Sequence, residues 1–214
     1  MPVRLVILGP PGAGKGTQAE RFARERRIPR ISTGDILRDA VQAGSALGRA
    51  AKAVMDSGRL VGDDVMIGVI RERLSKEDVA TGFVLDGFPR TVAQAVALDG
   101  LVDHEAPLVI VDVEVPEDIL VERLSGRRIC SACGWLAAPA ASECARCGGA
   151  LIQRPDDRPD VVRERLRVFM RDTQPLVEYY RRFPNFRSVD GDQGESAVAA
   201  DIAAAVASVL GGTS

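Results

Sequence analysis

Residues 9–17, GPPGAGKGT, constrain this chain more than any other stretch. A short apolar run, residues 3–8, precedes them. Residues 15–26 behind them carry Ala19, Phe22 and Ala23 on one helical face. Strand, glycine-rich turn and helix in that order form a phosphate-binding loop. The glycines let backbone N–H groups turn inward, and the helix N-terminus adds partial positive charge. Lys15 is expected to reach the β- and γ-phosphates of a nucleoside triphosphate. The usual pattern puts Ser or Thr directly after the lysine. Here Gly16 intervenes, and Thr17 takes the hydroxyl role one place later. The loop predicts triphosphate binding and leaves kinase, GTPase and ATPase equally open.

The rest of the chain fits a parallel sheet covered by helices on both faces. Residues 83–85, 108–113 and 185–189 read as further strands. Helices are predicted over residues 33–41, much of 46–74 with breaks near Gly58 and Gly62, 91–101, 116–124, 159–183 and 197–210. Residues 127–158 differ: they hold all 4 cysteines, several Gly and Pro residues and few large apolar side chains. The net charge of −2 argues against a dedicated nucleic-acid or membrane-surface binder. The opening apolar run is too short for a signal peptide, and no stretch approaches a membrane span, so a cytoplasmic protein is expected.

Six motifs occur in one order: GPPGAGKGTQ from Gly9, STGDILR from Ser32, SGRLVGDDV from Ser57, LDGFPRTVAQA from Leu85, LSGRRIC from Leu124 and QRPDDRPDVVRERL from Gln153. In them the chain closely resembles adenylate kinases, over most of its length. The resemblance implies a P-loop kinase fold with core residues 1–31, 62–125 and 159–214. It implies a nucleoside monophosphate-binding segment, 32–61, and a lid, 126–158. The implied reaction is Mg²⁺-dependent phosphoryl transfer, ATP + AMP giving two ADP, by a monomer.

The same resemblance implies the site residues. Gly12, Ala13, Gly14, Lys15, Gly16, Thr17, Arg127 and Gln193 are assigned to ATP. Thr33, Arg38, Arg59, Leu60, Val61, Gly87, Phe88, Pro89, Arg90 and Gln94 are assigned to AMP, together with Arg154 and Arg165. The Phe88–Pro89 peptide is expected to be cis. Asp86, at a strand's carboxyl end, is assigned to water on Mg²⁺, with Asp35 assisting; as a turn former before Gly87 it has a plainer reading. Lys15, Arg90, Arg127, Arg154 and Arg165 form the catalytic set with Asp86, because phosphoryl transfer needs positioning and charge stabilisation above all. Arg123 reads either as part of that set or as a helix-surface ion pair. Arg128, Arg163 and Arg167 read as solvated or structural, and His104 has no role.

Cys130 and Cys133 form one C-x₂-C pair, Cys144 and Cys147 another, which is the spacing of a structural Zn²⁺ site with four thiolates. Zinc would staple an insert too small to have its own core. Free thiols and disulfides are the weaker readings. Zinc-bearing lids of the family usually have a longer stretch between the pairs, with a tyrosine near ATP. Here residues 134–143 are short and lack it. Trp135 either stacks on the base or packs the lid. The acceptor segment and the lid are expected to close over the substrates and exclude water.

Two other functions fit parts of the pattern. The first is the same chemistry with UMP or CMP as acceptor, or GTP as donor. The second is a zinc-knuckle nucleic-acid binder with a P-loop domain, opposed by the net negative charge and the lack of interleaved aromatics. A signalling NTPase has no need of a second set of acceptor motifs.

Overall fold

In the computed structural model, which describes residues 2–102, 106–137 and 141–212, His104 lies outside the described residues. The opening apolar run is β1 (Val3–Leu8), buried at every residue but Val3, as a strand covered on both faces should be. The chain continues through α1 (Lys15–Arg26), β2 (Arg30–Ser32), α2 (Thr33–Gln42), α3 (Ala46–Asp56), α4 (Asp63–Leu74), β3 (Gly82–Asp86) and α5 (Val92–Asp99). Then come β4 (Leu108–Glu114), α6 (Glu117–Gly126), β5 (Ile129–Cys130), β6 (Leu151–Ile152), α7 (Pro159–Val168), α8 (Gln174–Tyr180), β7 (Phe186–Asp190) and α9 (Glu195–Gly211).

Five strands form one sheet in the order β2-β3-β1-β4-β7, every pairing parallel. Strand alternation splits the apolar residues into two cores. Leu5, Ile7, Val109 and Val111 pack towards α1, α6 and α9. Val6, Leu8, Leu85 and Ile110 pack towards α4, α5 and α8. From β1 the chain builds outward to β3 and β2 on one side, and later to β4 and β7 on the other. The carboxyl end of β1 is therefore the switch point, where open α/β sheets bind ligands. Register brings Asp86 beside Ile7, Ser32 beside Asp86 and Asp112 beside Leu8 at that edge.

Two elements differ from the sequence pattern. The pattern offers no strand at Arg30–Ser32; three residues, one of them charged, become a strand by pairing with β3. The single helix expected over 159–183 is instead α7, a π-helical turn (Phe169–Thr173) and α8. Pro175, in the first turn of α8, lacks the N–H that an unbroken α-helix would need there. Gln174 donates instead to the carbonyl of Phe169, five residues back. The cysteine-bearing insert holds the two-stranded antiparallel ribbon β5–β6.

The α2–α3 pair packs so closely that a Cβ on Gly48 would lie 2.0 Å from the Ala40 carbonyl oxygen. Gly48→Ala is expected to force the helices apart and cost about 1–3 kcal/mol. Gly68→Ala on α4, with no atom within 4 Å of the added Cβ, should instead stabilise by about 0.5–1 kcal/mol. Urea unfolding of both variants checks the contrast; equal effects would contradict the close helix contact.

Candidate active site

The loop between β1 and α1 bends through glycines. Gly9, Gly12 and Gly14 have φ of 135°, 90° and 85°. At Gly9 a Cβ would also strike the Val113 carbonyl oxygen at 2.6 Å, so loop and β4 can approach only without a side chain. Lys15 opens α1 and folds back, its Nζ donating to the Pro10 carbonyl at 2.7 Å. Burial pushes this ammonium down to about 7; Asp86 opposes the shift, while Arg90, Arg165 and Arg127 reinforce it. The position where a hydroxyl is usual, Gly16, faces an ion pair: a Cβ there would lie 3.3 Å from Arg30 Nη2 and 3.4 Å from Asp86 Oδ2.

That ion pair belongs to a chain of charges at the sheet edge. Asp86 Oδ2 accepts from Arg30 Nη2 at 2.6 Å. Arg30 Nη1 lies 2.9 Å from Asp35 Oδ2, and Asp35 Oδ1 accepts from Arg38 Nη2 at 2.5 Å. Arg30 thus joins both carboxylates assigned to the metal water. Nothing in the sequence separates it from the many other arginines.

A cavity opens beside the loop. Lys15, Thr33, Arg38, Arg59, Leu60, Val61, Gly87, Pro89, Arg90, Gln94 and Arg165 all line it, as do Met66, Asp156, Phe169 and Thr173. The Phe88–Pro89 peptide is cis, as expected. Phe88 turns into the core, 1% exposed, while Pro89 faces the cavity. Thr33 donates its hydroxyl to the Gly87 carbonyl at 2.8 Å. At Gly87, with φ of 82°, a Cβ would meet Thr33 Oγ1 at 2.9 Å and Arg90 Nη2 at 3.0 Å, so this turn requires glycine. Gln94 is 2% exposed; its Oε1 accepts from the Arg90 backbone N–H at 2.8 Å, and its Nε2 donates to Asp63 Oδ1 at 2.7 Å.

The arginines converge from three elements. Arg127, after α6, forks onto Asp157 with bonds of 2.7 Å and 2.5 Å. Arg165 on α7 reaches Asp157 Oδ1 and Asp156 Oδ2, both at 3.0 Å. Asp157, fully buried, therefore anchors two of the assigned arginines; it lies in the QRPDDRPDVVRERL motif, where the arginines alone attract notice. Arg154 Nε is buried and has no hydrogen-bond partner among the described residues. Burial, with Arg165 and Arg38 nearby, pushes Arg90 down to about 10, although Asp86 and Asp156 oppose it. Burial also pushes Arg154 down to about 10, reinforced by Arg38 and Arg127. These cations lack enough anions, which is the state of a site shaped for phosphate groups.

Arg123 and Gln193 sit apart from this cluster. Arg123 Nη1 donates to the Gly191 carbonyl at 3.0 Å, and Gln193 Nε2 donates to Asp201 Oδ2 and to the Asp190 carbonyl, both at 2.9 Å. Arg123, on α6, thus reaches the β7–α9 turn in which Gln193 lies. Arg128, Arg163 and Arg167 are exposed.

The four cysteines converge in the insert. Their sulfurs all lie within 4.8 Å of one another. Cys130–Cys147 and Cys133–Cys147 are 3.5 Å apart and Cys133–Cys144 3.6 Å. A tetrahedron of thiolates around Zn²⁺, at about 2.3 Å per bond, has edges of about 3.8 Å. A disulfide needs about 2.05 Å. The cluster therefore fits a four-coordinate metal ion. Trp135 is 37% exposed with Arg146 over its ring at 5.7 Å, so it packs within the insert at one face.

Comparison with known proteins agrees with this geometry. The family model described as adenylate kinase matches residues 7–184. The chain is 48% identical over 208 residues to the adenylate kinase of Desulfitobacterium hafniense, covering 94% of this chain and 96% of the relative. It is 49% identical over 197 residues to that of Thermodesulfovibrio yellowstonii, covering 88% and 92%. It is 49% identical over 208 residues to that of a Geobacillus species, covering 94% and 96%. Among the described residues no helix is long and apolar enough to cross a membrane.

One carboxylate at this edge carries a pH signature. Asp112 is 5% exposed and its Oδ1 has no hydrogen-bond partner among the described residues. Burial pushes it up to about 6; Glu114 and Glu178 reinforce this, and Lys15 and Arg181 oppose it. The folded chain holds this proton more tightly than the unfolded one. The group's favourable contribution is thus full below about pH 4 and is lost as pH rises through about 6. Asp112→Asn is expected to match the parent's stability near pH 4 and exceed it by about 2 kcal/mol at pH 8. Denaturation midpoints of both proteins at the two pH values check this; a constant difference would contradict it.

Proposed function

The chain belongs to the adenylate kinase family and is a nucleoside monophosphate kinase, and we propose that its cleft carries a phosphoryl group reversibly between ATP and AMP. The observation that carries the reading is the half-buried cluster of Lys15, Arg90, Arg154 and Arg165. Among the described residues only Arg165 in it is ion-paired, with Asp156 and Asp157, and the cluster lies between a phosphate loop and a cavity that the Gln94 amide lines.

On this reading the loop N–H groups of residues 12–17 and Lys15 hold the β- and γ-phosphates of ATP, with Arg127 and Gln193 as further contacts. Arg38 and Arg90 hold the AMP phosphate, and Thr33, residues 59–61, residues 87–90 and Gln94 hold its nucleoside. An AMP phosphate oxygen attacks the γ-phosphorus as the bond to the β–γ bridging oxygen breaks. The electron pair of that bond leaves on the β-phosphate, so both products are ADP. The attacking oxygen is already anionic, so no general base is needed. Lys15, Arg154 and Arg165 stabilise the charge on the moving group. Asp86 and Asp35, with the Thr17 hydroxyl, are all-oxygen donors suited to Mg²⁺ or its waters; the metal would neutralise phosphate charge. Arg30 has to share those carboxylates with it.

Residues 126–158 act as a lid and residues 32–61 as the acceptor segment, which move onto the core residues 1–31, 62–125 and 159–214 and exclude water. Cys130, Cys133, Cys144 and Cys147 would hold Zn²⁺, which would staple the lid into one shape. The reading also carries a cytoplasmic monomer.

A coupled assay of ADP formation from Mg·ATP, offering AMP, UMP, CMP and GMP in turn, tests this. AMP is expected to be the strongly preferred acceptor. A pyrimidine preference would keep the mechanism and overturn the base assignment. Lys15→Met should lower kcat about 10²–10³-fold. Mercurial titration of the cysteines should release one zinc per chain and lower the melting temperature; no metal released would remove zinc from the account.

A further inference from the structure

The Gln94 amide is not free to choose its orientation. Its Oε1 accepts from the Arg90 backbone N–H and its Nε2 donates to Asp63 Oδ1. The chemistry of the partners fixes this assignment. A backbone N–H only donates, and a carboxylate only accepts. Asp63 is itself held: its Oδ2 accepts from the Thr91 hydroxyl at 3.0 Å. Thr91 Oγ1 in turn accepts from the Gln94 backbone N–H at 3.1 Å, capping α5. Asp63 stands in the first turn of α4, where the helix dipole favours a negative charge. The Arg90 backbone is pinned a second time, its carbonyl accepting from the Thr173 hydroxyl at 2.9 Å.

A glutamine amide has two N–H donors and two acceptor lone pairs. With one of each consumed, one donor and one acceptor remain for the cavity that Gln94 lines. Their positions along the amide are fixed, oxygen by Arg90 and nitrogen by Asp63. A 6-aminopurine offers a donor at its 6-amino group and an acceptor at N1. A 6-oxopurine offers the reverse, an acceptor at O6 and a donor at N1. To read the second base the amide would have to flip. The flip would set Oε1 against the Asp63 carboxylate and Nε2 against the Arg90 N–H, leaving two buried polar contacts repulsive.

We infer that Asp63 is a specificity-determining positioning residue, which selects a 6-aminopurine over a 6-oxopurine acceptor by locking the Gln94 amide. This rests on the reading of Gln94 as a contact to the acceptor base. Asp63 touches no substrate. It acts through Gln94, and the SGRLVGDDV motif alone gives no reason to single it out from Asp64.

The test compares AMP with inosine monophosphate, which differs from it at the 6-position and the N1 proton. Asp63→Asn keeps the shape but can offer either an oxygen or an N–H to Gln94. The ratio of kcat/KM for AMP over inosine monophosphate is expected to fall about 10-fold in this variant, with KM for ATP unchanged. Asp63→Glu, which keeps the carboxylate, should hold the ratio closer to that of the parent than Asp63→Asn does. A merely structural role would lower both acceptors together. An Asp63→Asn protein with an unchanged ratio, while the parent prefers AMP, would overturn the inference alone. A parent that does not use AMP would overturn the acceptor reading and this inference with it.

Discussion

The structure depends on one electrostatic imbalance: several cations are held half-buried at the carboxyl edge of a parallel sheet with too few carboxylates to match them. Asp157 compensates Arg127 and Arg165, and Asp86 and Asp35 share Arg30. Lys15, Arg90 and Arg154 keep pKa values below their ordinary range because burial and their neighbours resist the charge. Such an arrangement opposes folding unless the surrounding scaffold is rigid. The two apolar cores on either face of the sheet supply that scaffold. Phosphate groups entering the cleft would relieve the imbalance, so binding and charge compensation are one event.

The same edge organises recognition of the acceptor. The cis turn at Phe88–Pro89 sends Phe88 into the core and leaves Arg90 facing the cavity. Gly87 permits Thr33 and Arg90 to approach one another. The Arg90 backbone then joins phosphate reading to base reading: its side chain belongs to the cationic cluster, its N–H holds Gln94, and its carbonyl is held by Thr173 from the π-helical turn. That turn exists because Pro175 interrupts the helix, so a local backbone irregularity places a side chain at the site.

Much of this was legible in the sequence, for identifiable reasons. The phosphate loop declares itself because glycines, lysine and flanking periodicities must all coincide. The cysteine pairs declare themselves by spacing, and the sulfurs converge as that spacing implies. Buried strands such as β1 and β4 read as apolar runs. β2 did not, because a three-residue strand holding Arg30 has no pattern of its own and exists through pairing with β3. Arg30, Asp63 and Asp157 were equally illegible. Their importance lies in which atoms they hold across long sequence separations: Arg30 with Asp86, Asp63 with Gln94, Asp157 with Arg127. Residue type and local spacing carry no record of those pairings. Asp112 is similar: a charged residue within a buried strand is visible, but its lack of a partner is a property of the packed sheet.

The most direct test of the imbalance is calorimetry of a two-nucleotide analogue, two adenosines joined through five phosphates, in buffers of different ionisation enthalpy at pH 8. With Lys15 near 7 in the empty site, most copies are neutral at that pH, and phosphate contact should restore the proton. The account predicts one analogue per chain and an uptake of close to one proton more than Lys15→Met shows. Binding with the same proton balance in both proteins would contradict it, because the cluster would then have been fully charged before any phosphate arrived.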